Sequence, residues 1–131
     1  MNRLQVEVKA LKRVEKLNIV AFKYANELLS MMSLELDEKV KIGSRVSIGF
    51  KSMAVGIAKG FSGALSYSNQ LPCTIVSIEK GELLSELRLS CHGAKIDSII
   101  TTASLERMRL EAGESVTALV KASEIYIEEI L

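Results

Sequence analysis

Two hydroxyl pairs, Thr101-x-x-Ser104 and Ser30-x-x-Ser33, and two lysines, Lys51 and Lys121, offer this chain donors and positive charge suited to an anion. Where a helix begins, a serine or threonine and the serine three residues on share one turn, beside backbone N–H groups with no partner inside the helix. Such a turn can hold an anion. The same spacing also serves a plain N-cap, in which the hydroxyl only satisfies a backbone N–H. The lysines could add positive potential. In the segment Val116 to Lys121, residues 116, 118 and 120 share one face of a strand and Lys121 takes the other. A strand lysine is usually just solvated, but two at matched positions of a repeat carry more weight.

Other chemistry finds little support. A single histidine, His92, leaves no Ser-His-Asp grouping, and there is no glycine-rich phosphate loop or paired-carboxylate site. The chain is therefore not expected to be an enzyme. Cys91-His92 lacks the second ligand pair that a zinc site needs. Cys73 and Cys91 show no CxxC spacing, so free thiols in a reducing, cytoplasmic setting are expected. No apolar run approaches the roughly 20 residues needed to cross a bilayer, so no membrane role is expected. Net charge is +1, split as 11 Lys and Arg against 6 Asp and Glu in residues 1–65 and 6 against 10 in residues 66–131. Opposite signs suit surfaces that pack on each other and argue against a uniformly basic nucleic-acid surface. The basic run Lys9 to Lys16 has no interleaved aromatic residues, which favours a solvated hairpin over a phosphate track.

These groups sit on a pattern of elements that comes in two rounds. Asn69-Gln70-Leu71 repeats Asn2-Arg3-Leu4 at an offset of 67, whereas Gly113 and Lys121 follow Gly43 and Lys51 at 70. Two diverged units result, residues 1–65 and 66–131, the second slightly longer in its middle. In the first, the alternation of Leu4 to Leu11 predicts a strand. Further strands are expected at Ile19–Ala25, around Leu28-Leu29, at Arg45–Lys51 and at Ala54–Ala58, with a short helix over Leu34–Ile42 ending at Gly43. In the second, strands are expected at Leu71–Ile78, Leu84–Ser90, Ile96–Ile100, Val116–Lys121 and Ile125–Ile127, with a helix over Thr101–Leu110. The fold class is mainly β: two tandem five-stranded barrels of the oligonucleotide/oligosaccharide-binding type, each with a short helix. Units of about 65 residues are marginal alone, so fusion and further assembly are expected.

Asn69-Gln70-Leu71, Ile100-Thr101-x-x-Ser104, Leu110-x-x-Gly113-x-x-Val116 and Ala118 to Ser123 together resemble the molybdate-binding TOBE or Mop domain, in the tandem di-Mop form called a molbindin. Ser30-x-x-Ser33, Ile42-Gly43-x-x-Val46 and Phe50-Lys51 carry the resemblance more loosely in the first unit. The resemblance implies molybdate or tungstate as ligand, held between subunits of a closed homo-oligomer, a homotrimer by analogy. One chain would supply a Ser-x-Arg-Asn segment and the lysine, and another the Thr-x-x-Ser segment. Carried over, the site residues are Ser66, Tyr67, Ser68, Asn69, Lys121, Thr101 and Ser104, with Ser30, Ser33 and Lys51 in the first unit. The family arginine is replaced by Ser68, one positive charge fewer per site.

The function implied is a small cytoplasmic oxyanion-binding protein for storage, buffering or delivery. The alternative is a ligand-sensing or oligomerisation module acting on a partner protein in molybdate-dependent regulation or transport. Oligonucleotide binding is argued against by the near-neutral charge and by aromatic residues at 5% of the chain.

Overall fold

The computed structural model describes all 131 residues of the chain. The first unit contains β1 (Asn2–Val14), β2 (Leu17–Tyr24), β3 (Glu27–Ser33), β4 (Arg45–Phe50) and β5 (Gly56–Ala58). The second contains β6 (Asn69–Lys80), β7 (Leu84–Cys91), β8 (Ala94–Thr101), α1 (Thr102–Met108), β9 (Ser115–Val120) and β10 (Tyr126–Ile130). A 3-10 turn precedes the last strand of each unit, at Ser52–Ala54 and at Ala122–Glu124. Strict alternation places Leu4, Val6 and Val8 of β1, and Leu71, Cys73 and Ile75 of β6, in the core.

The expected helix over Leu34–Ile42 does not form; the segment runs as turns. Of its four apolar residues Leu34 and Ile42 are 71% and 67% exposed, and only Val40 is buried. The spacing at 34, 36, 40 and 42 puts only Leu36 and Val40 on one helical face, too narrow a stripe to hold a helix against the barrel. The third strand is longer than expected and takes in both Ser30 and Ser33.

The two sheets exchange their last strands. Their orders are β10-β4-β1-β2-β3 and β5-β9-β6-β7-β8. β5 pairs with β9 through Gly56↔Leu119, and β10 pairs with β4 through Tyr126↔Gly49. Gly49 admits this second contact, because a Cβ there would stand 2.8 Å from the Tyr126 ring. A single apolar cluster runs through both units, drawn from Val, Leu, Ile, Met and Phe side chains. The long strands β1 and β6 each bend at a bulge, between Val8 and Ala10 and between Ile75 and Ser77, which sit at equivalent places in the repeat. The basic run of residues 9–16 forms the β1–β2 hairpin.

Cys73 and Cys91 are joined by a disulfide, in contrast to the free thiols expected from their spacing. The register of β6 on β7 pairs Thr74 with Ser90, so residues 73 and 91 face each other across the ladder, with Cα atoms 4.5 Å apart. That is the close separation of a non-hydrogen-bonded antiparallel pair, within reach of a disulfide. No helix is long and apolar enough to cross a membrane.

Candidate functional site

Asn69 opens β6 and is 1% exposed. Its Oδ1 accepts a hydrogen bond from the Ser30 N–H (2.7 Å), while Nδ2 donates to the carbonyls of Ser30 (2.9 Å) and Val120 (3.0 Å). The side chain therefore acts as one extra rung on the outer edge of β3 and ties that edge to the end of β9. Both amide hydrogens are used, so Asn69 is a fixture that places its neighbours rather than a donor with capacity to spare. The residue after Val120 is Lys121, whose extended backbone leads into the 3-10 turn. Its Nζ stands 5.9 Å from the centroid of the half-buried Tyr67 ring. Ser66 and Ser68 flank that ring and are exposed. Asn69 thus gathers the 66–68 segment, Lys121 and Ser30 in one place.

The first unit repeats the clamp. Asn2 Oδ1 accepts from the Asp97 N–H (2.8 Å) and its Nδ2 donates to the Asp97 carbonyl (2.9 Å). Lys51 leads into its own 3-10 turn with the same extended backbone as Lys121. The counterpart of Ser30 is therefore Asp97, 67 residues on, and not Thr101. Ser30 and Ser33 do not stand at a helix start: Ser30 lies within β3, and the Ser33 hydroxyl is bonded to the backbone N–H and C=O of Glu35.

Thr101 and Ser104 do stand at a helix start. Thr101 is the N-cap of α1: its Oγ1 accepts the Ser104 N–H (3.1 Å) and donates to Ser104 Oγ (2.9 Å). The turn is anchored from beneath by the buried Thr102, whose hydroxyl bonds the Gly81 carbonyl and Ser85 Oγ, each at 2.8 Å. At the other end Lys59 Nζ donates to the carbonyls of Met108 and Arg109 and pairs with Glu114 at 2.8 Å. Those contacts hold the Glu114 carboxyl below its ordinary value, the Lys59 hydrogen bond first and the Glu111 N–H second.

One residue missing from the sequence reading joins this group. Arg107 Nη2 donates to Ser104 Oγ at 3.3 Å. With Thr101 and Arg107 both directed at its oxygen, Ser104 keeps its own proton for a further acceptor. The signal was present as an i, i+3 spacing on one helix face. The resemblance places the family arginine upstream of Asn69, where this chain has Ser68.

No hydrogen bond or ion pair joins the Thr101–Ser104–Arg107 group to the Tyr67–Asn69–Lys121 group within the chain, and no carboxylate is ion-paired to Arg107 or Lys121. No cluster of three His, Cys, Asp or Glu side chains is placed to hold a cation. Cys91-His92 is likewise no metal pair, since Cys91 is in the disulfide and His92 Nε2 lies 3.3 Å from Glu27. The largest cavity, about 810 Å³ between β3, residues 35–40 and β10, is lined by Glu35, Asp37, Glu128 and Glu129 with Lys39 as the only base. Its charge is wrong for an anion.

Residues 65–127 match the TOBE domain model. Molybdenum-pterin-binding protein 2 of Clostridium pasteurianum is 35% identical over 65 residues, which are 49% of this chain and 96% of that protein. Molybdenum import ATP-binding protein ModC of Brucella abortus is 32% identical over 103 residues, 77% of this chain. The chain spans only 29% of that relative's length. A crystal structure of the cytoplasmic molybdate-binding protein ModG, with molybdate bound, superposes with a TM-score of 0.90 at 26% identity, covering 96% of this chain and 94% of that one. Near-complete coverage of a single Mop protein by half of this chain, and of the ModG chain by the whole, means that the chain belongs to the TOBE/Mop family as a tandem, two-unit member.

Proposed function

We propose that this chain binds molybdate or tungstate at contacts between its copies and serves to store, buffer or deliver the oxyanion in the cytoplasm, without catalysing a reaction. The observation that carries this reading is the division of donors into two groups with no hydrogen bond or ion pair between them within one chain. Lys121 with the 66–68 segment presents a cation and hydroxyls at the Asn69 clamp. Thr101, Ser104 and Arg107 present hydroxyls and a second cation at the start of α1. A tetrahedral dianion needs several donors and positive potential with no carboxylate at hand, and each group offers part of that set. Brought together across a contact between copies, they supply two positive charges for two negative ones. Arg107 then stands in for the charge that Ser68 does not provide.

Calorimetric titration with molybdate, tungstate and sulfate, paired with native mass spectrometry, tests the reading. Fixed hydroxyl and N–H donors measure the size of the anion, so tungstate should compete nearly equally with molybdate and the smaller sulfate poorly. The oxyanion should be retained by a closed oligomer, a trimer by analogy. Equal affinity for sulfate, or tight binding by a monomer, would refute it. A second reading, a sensing or oligomerisation module for a partner in regulation or transport, is favoured by the match to less than a third of a larger ATP-binding import protein. Molybdate-dependent capture of a transport component would separate it from storage.

A further inference from the structure

The outer faces of the two β-hairpins carry opposite charges at one equivalent position, Lys12 and Glu79. On the first, the cross-strand row is Lys12–Ile19–Met32, with Lys12 paired to Ile19 and Ile19 to Met32. On the second, 67 residues on, the row is Glu79–Glu86–Ile99. Glu79 and Glu86 are direct cross-strand partners, an arrangement that places two like charges side by side and destabilises the sheet that carries it. Neither has an ion-pair partner in the chain: Lys80, next to Glu79, is engaged by Glu106, and Arg88, on the same face as Glu86, is engaged by Asp97. Lys12 is equally unpaired. Beside each charged position lies an apolar strip. Ile19, Met32 and Leu17 are 36%, 42% and 39% exposed on the first face, and Leu84 is 48% exposed on the second, next to a half-buried Ile99. Scattered apolar residues on a surface need no explanation. A row of Lys12, Ile19 and Met32 across three strands, matched at the equivalent positions by Glu79, Glu86 and Ile99, does.

We infer that the outer face of β1–β2–β3 is a docking surface for a second copy of this chain, which presents the outer face of its β6–β7–β8. Lys12 would meet the Glu79–Glu86 pair, and Ile19 and Met32 would meet Leu84 and Ile99. Each face repels its own kind, so the contact is heterologous: head of one copy to tail of the next. Such contacts form a ring when the rotation closes. The opposite charges add orientation and association rate to the apolar contact, and they exclude the reversed pairing. The inference rests on the proposal that copies assemble, and it names the surfaces they use.

Charge reversal tests it. Lys12→Glu makes both faces acidic, and Glu79→Lys with Glu86→Lys makes both basic; the triple variant exchanges the signs and restores complementarity. All three positions are exposed, so the far-ultraviolet circular dichroism of the variants should match the parent. Sedimentation at low salt should show assembly weakened about tenfold or more in each reversed variant and recovered in the triple variant. Raising the salt concentration should narrow the differences. If the parent assembles and all variants assemble equally well, or the triple variant stays dissociated, the surfaces are wrong while interface binding of molybdate can still stand. If the parent itself is a monomer, both ideas fall.

Discussion

Replacing Lys121 by alanine separates the lysine's part in binding from its part in holding the structure. The side chain is exposed and its one aromatic contact is the Tyr67 ring at 5.9 Å, close to the outer limit of a cation–π pair. At that distance on a surface the contact contributes about 0.5 kcal/mol, which in a chain of this size lowers Tm by roughly 1–2 °C. The effect on an oxyanion is larger, because a charge-assisted hydrogen bond contributes about 1.5–3 kcal/mol, on the order of 10- to 100-fold in Kd. Molybdate titration should therefore show at least a tenfold loss at the sites Lys121 serves, beside a nearly unchanged melt. Tyr67→Phe keeps the ring and should leave binding close to the parent, whereas Tyr67→Ala frees the lysine and should fall between. Lys51→Ala, whose turn faces Asp97 across the Asn2 clamp rather than a hydroxyl, should cost less than Lys121→Ala. Parent-like binding by Lys121→Ala, or a larger loss from Lys51→Ala, would refute the assignment.

Arg107→Ala should weaken molybdate binding by about tenfold and leave the fold intact, whereas Arg107→Lys should recover part of the loss; unchanged affinity in calorimetry would return Arg107 to the solvated surface. Asn69→Ala removes three hydrogen bonds and strands the backbone groups of Ser30 and Val120, so urea unfolding should report a loss of about 2–4 kcal/mol. The two-bond Asn2→Ala should cost less, and the reverse order would show that the clamps are not equivalent. Reduction of the Cys73–Cys91 disulfide opens a loop of 18 residues and should lower stability by about 3 kcal/mol; melts that match with and without a dithiol would contradict this. Glu7 and Glu114 are both held below the ordinary carboxylate value of 4.5, chiefly by hydrogen bonds from Lys9 and Lys59. Their contribution is present above that value and is lost as pH falls through the lower folded-state values, so acid melts of Lys59→Met should show a flatter decline than the parent.

Alternation made most strands legible, because burying one face of a β-strand forces every second residue to be apolar. Leu4, Val6, Val8 and their repeats Leu71, Cys73, Ile75 show the rule and its core. The helix at Thr101 was legible from its cap, and α1 is anchored by buried Thr102 and Leu105. The segment after Ser33 forms no helix because good helix-forming residues do not suffice when only Leu36 and Val40 pack on the core and Leu34 and Ile42 stay exposed. It is also three residues shorter than its counterpart, the difference between offsets of 67 and 70. The disulfide depends on the register of β6 on β7, and the exchange of β5 and β10 depends on which strand lies beside which. Alternation tells a residue's face and is silent about its neighbour. Arg107 was visible as a spacing but had no meaning until Ser104 was seen to accept from it.

The exchange of strands has a consequence for how the chain is made. A ribosome releases β1 to β4 well before β10, yet β10 is the strand that completes their sheet along β4. Until residues 126–130 emerge, β4 presents a bare edge whose backbone groups can pair with any extended segment nearby. A neighbouring nascent chain from the same message carries suitable strands. The fold is therefore exposed to mispairing from the emergence of β4 at Arg45–Phe50 until that of β10 at Tyr126–Ile130. It is most exposed where many ribosomes crowd one transcript, and synonymous codon changes that slow synthesis between Lys59 and Lys121 should lower soluble yield without altering a single residue of the product.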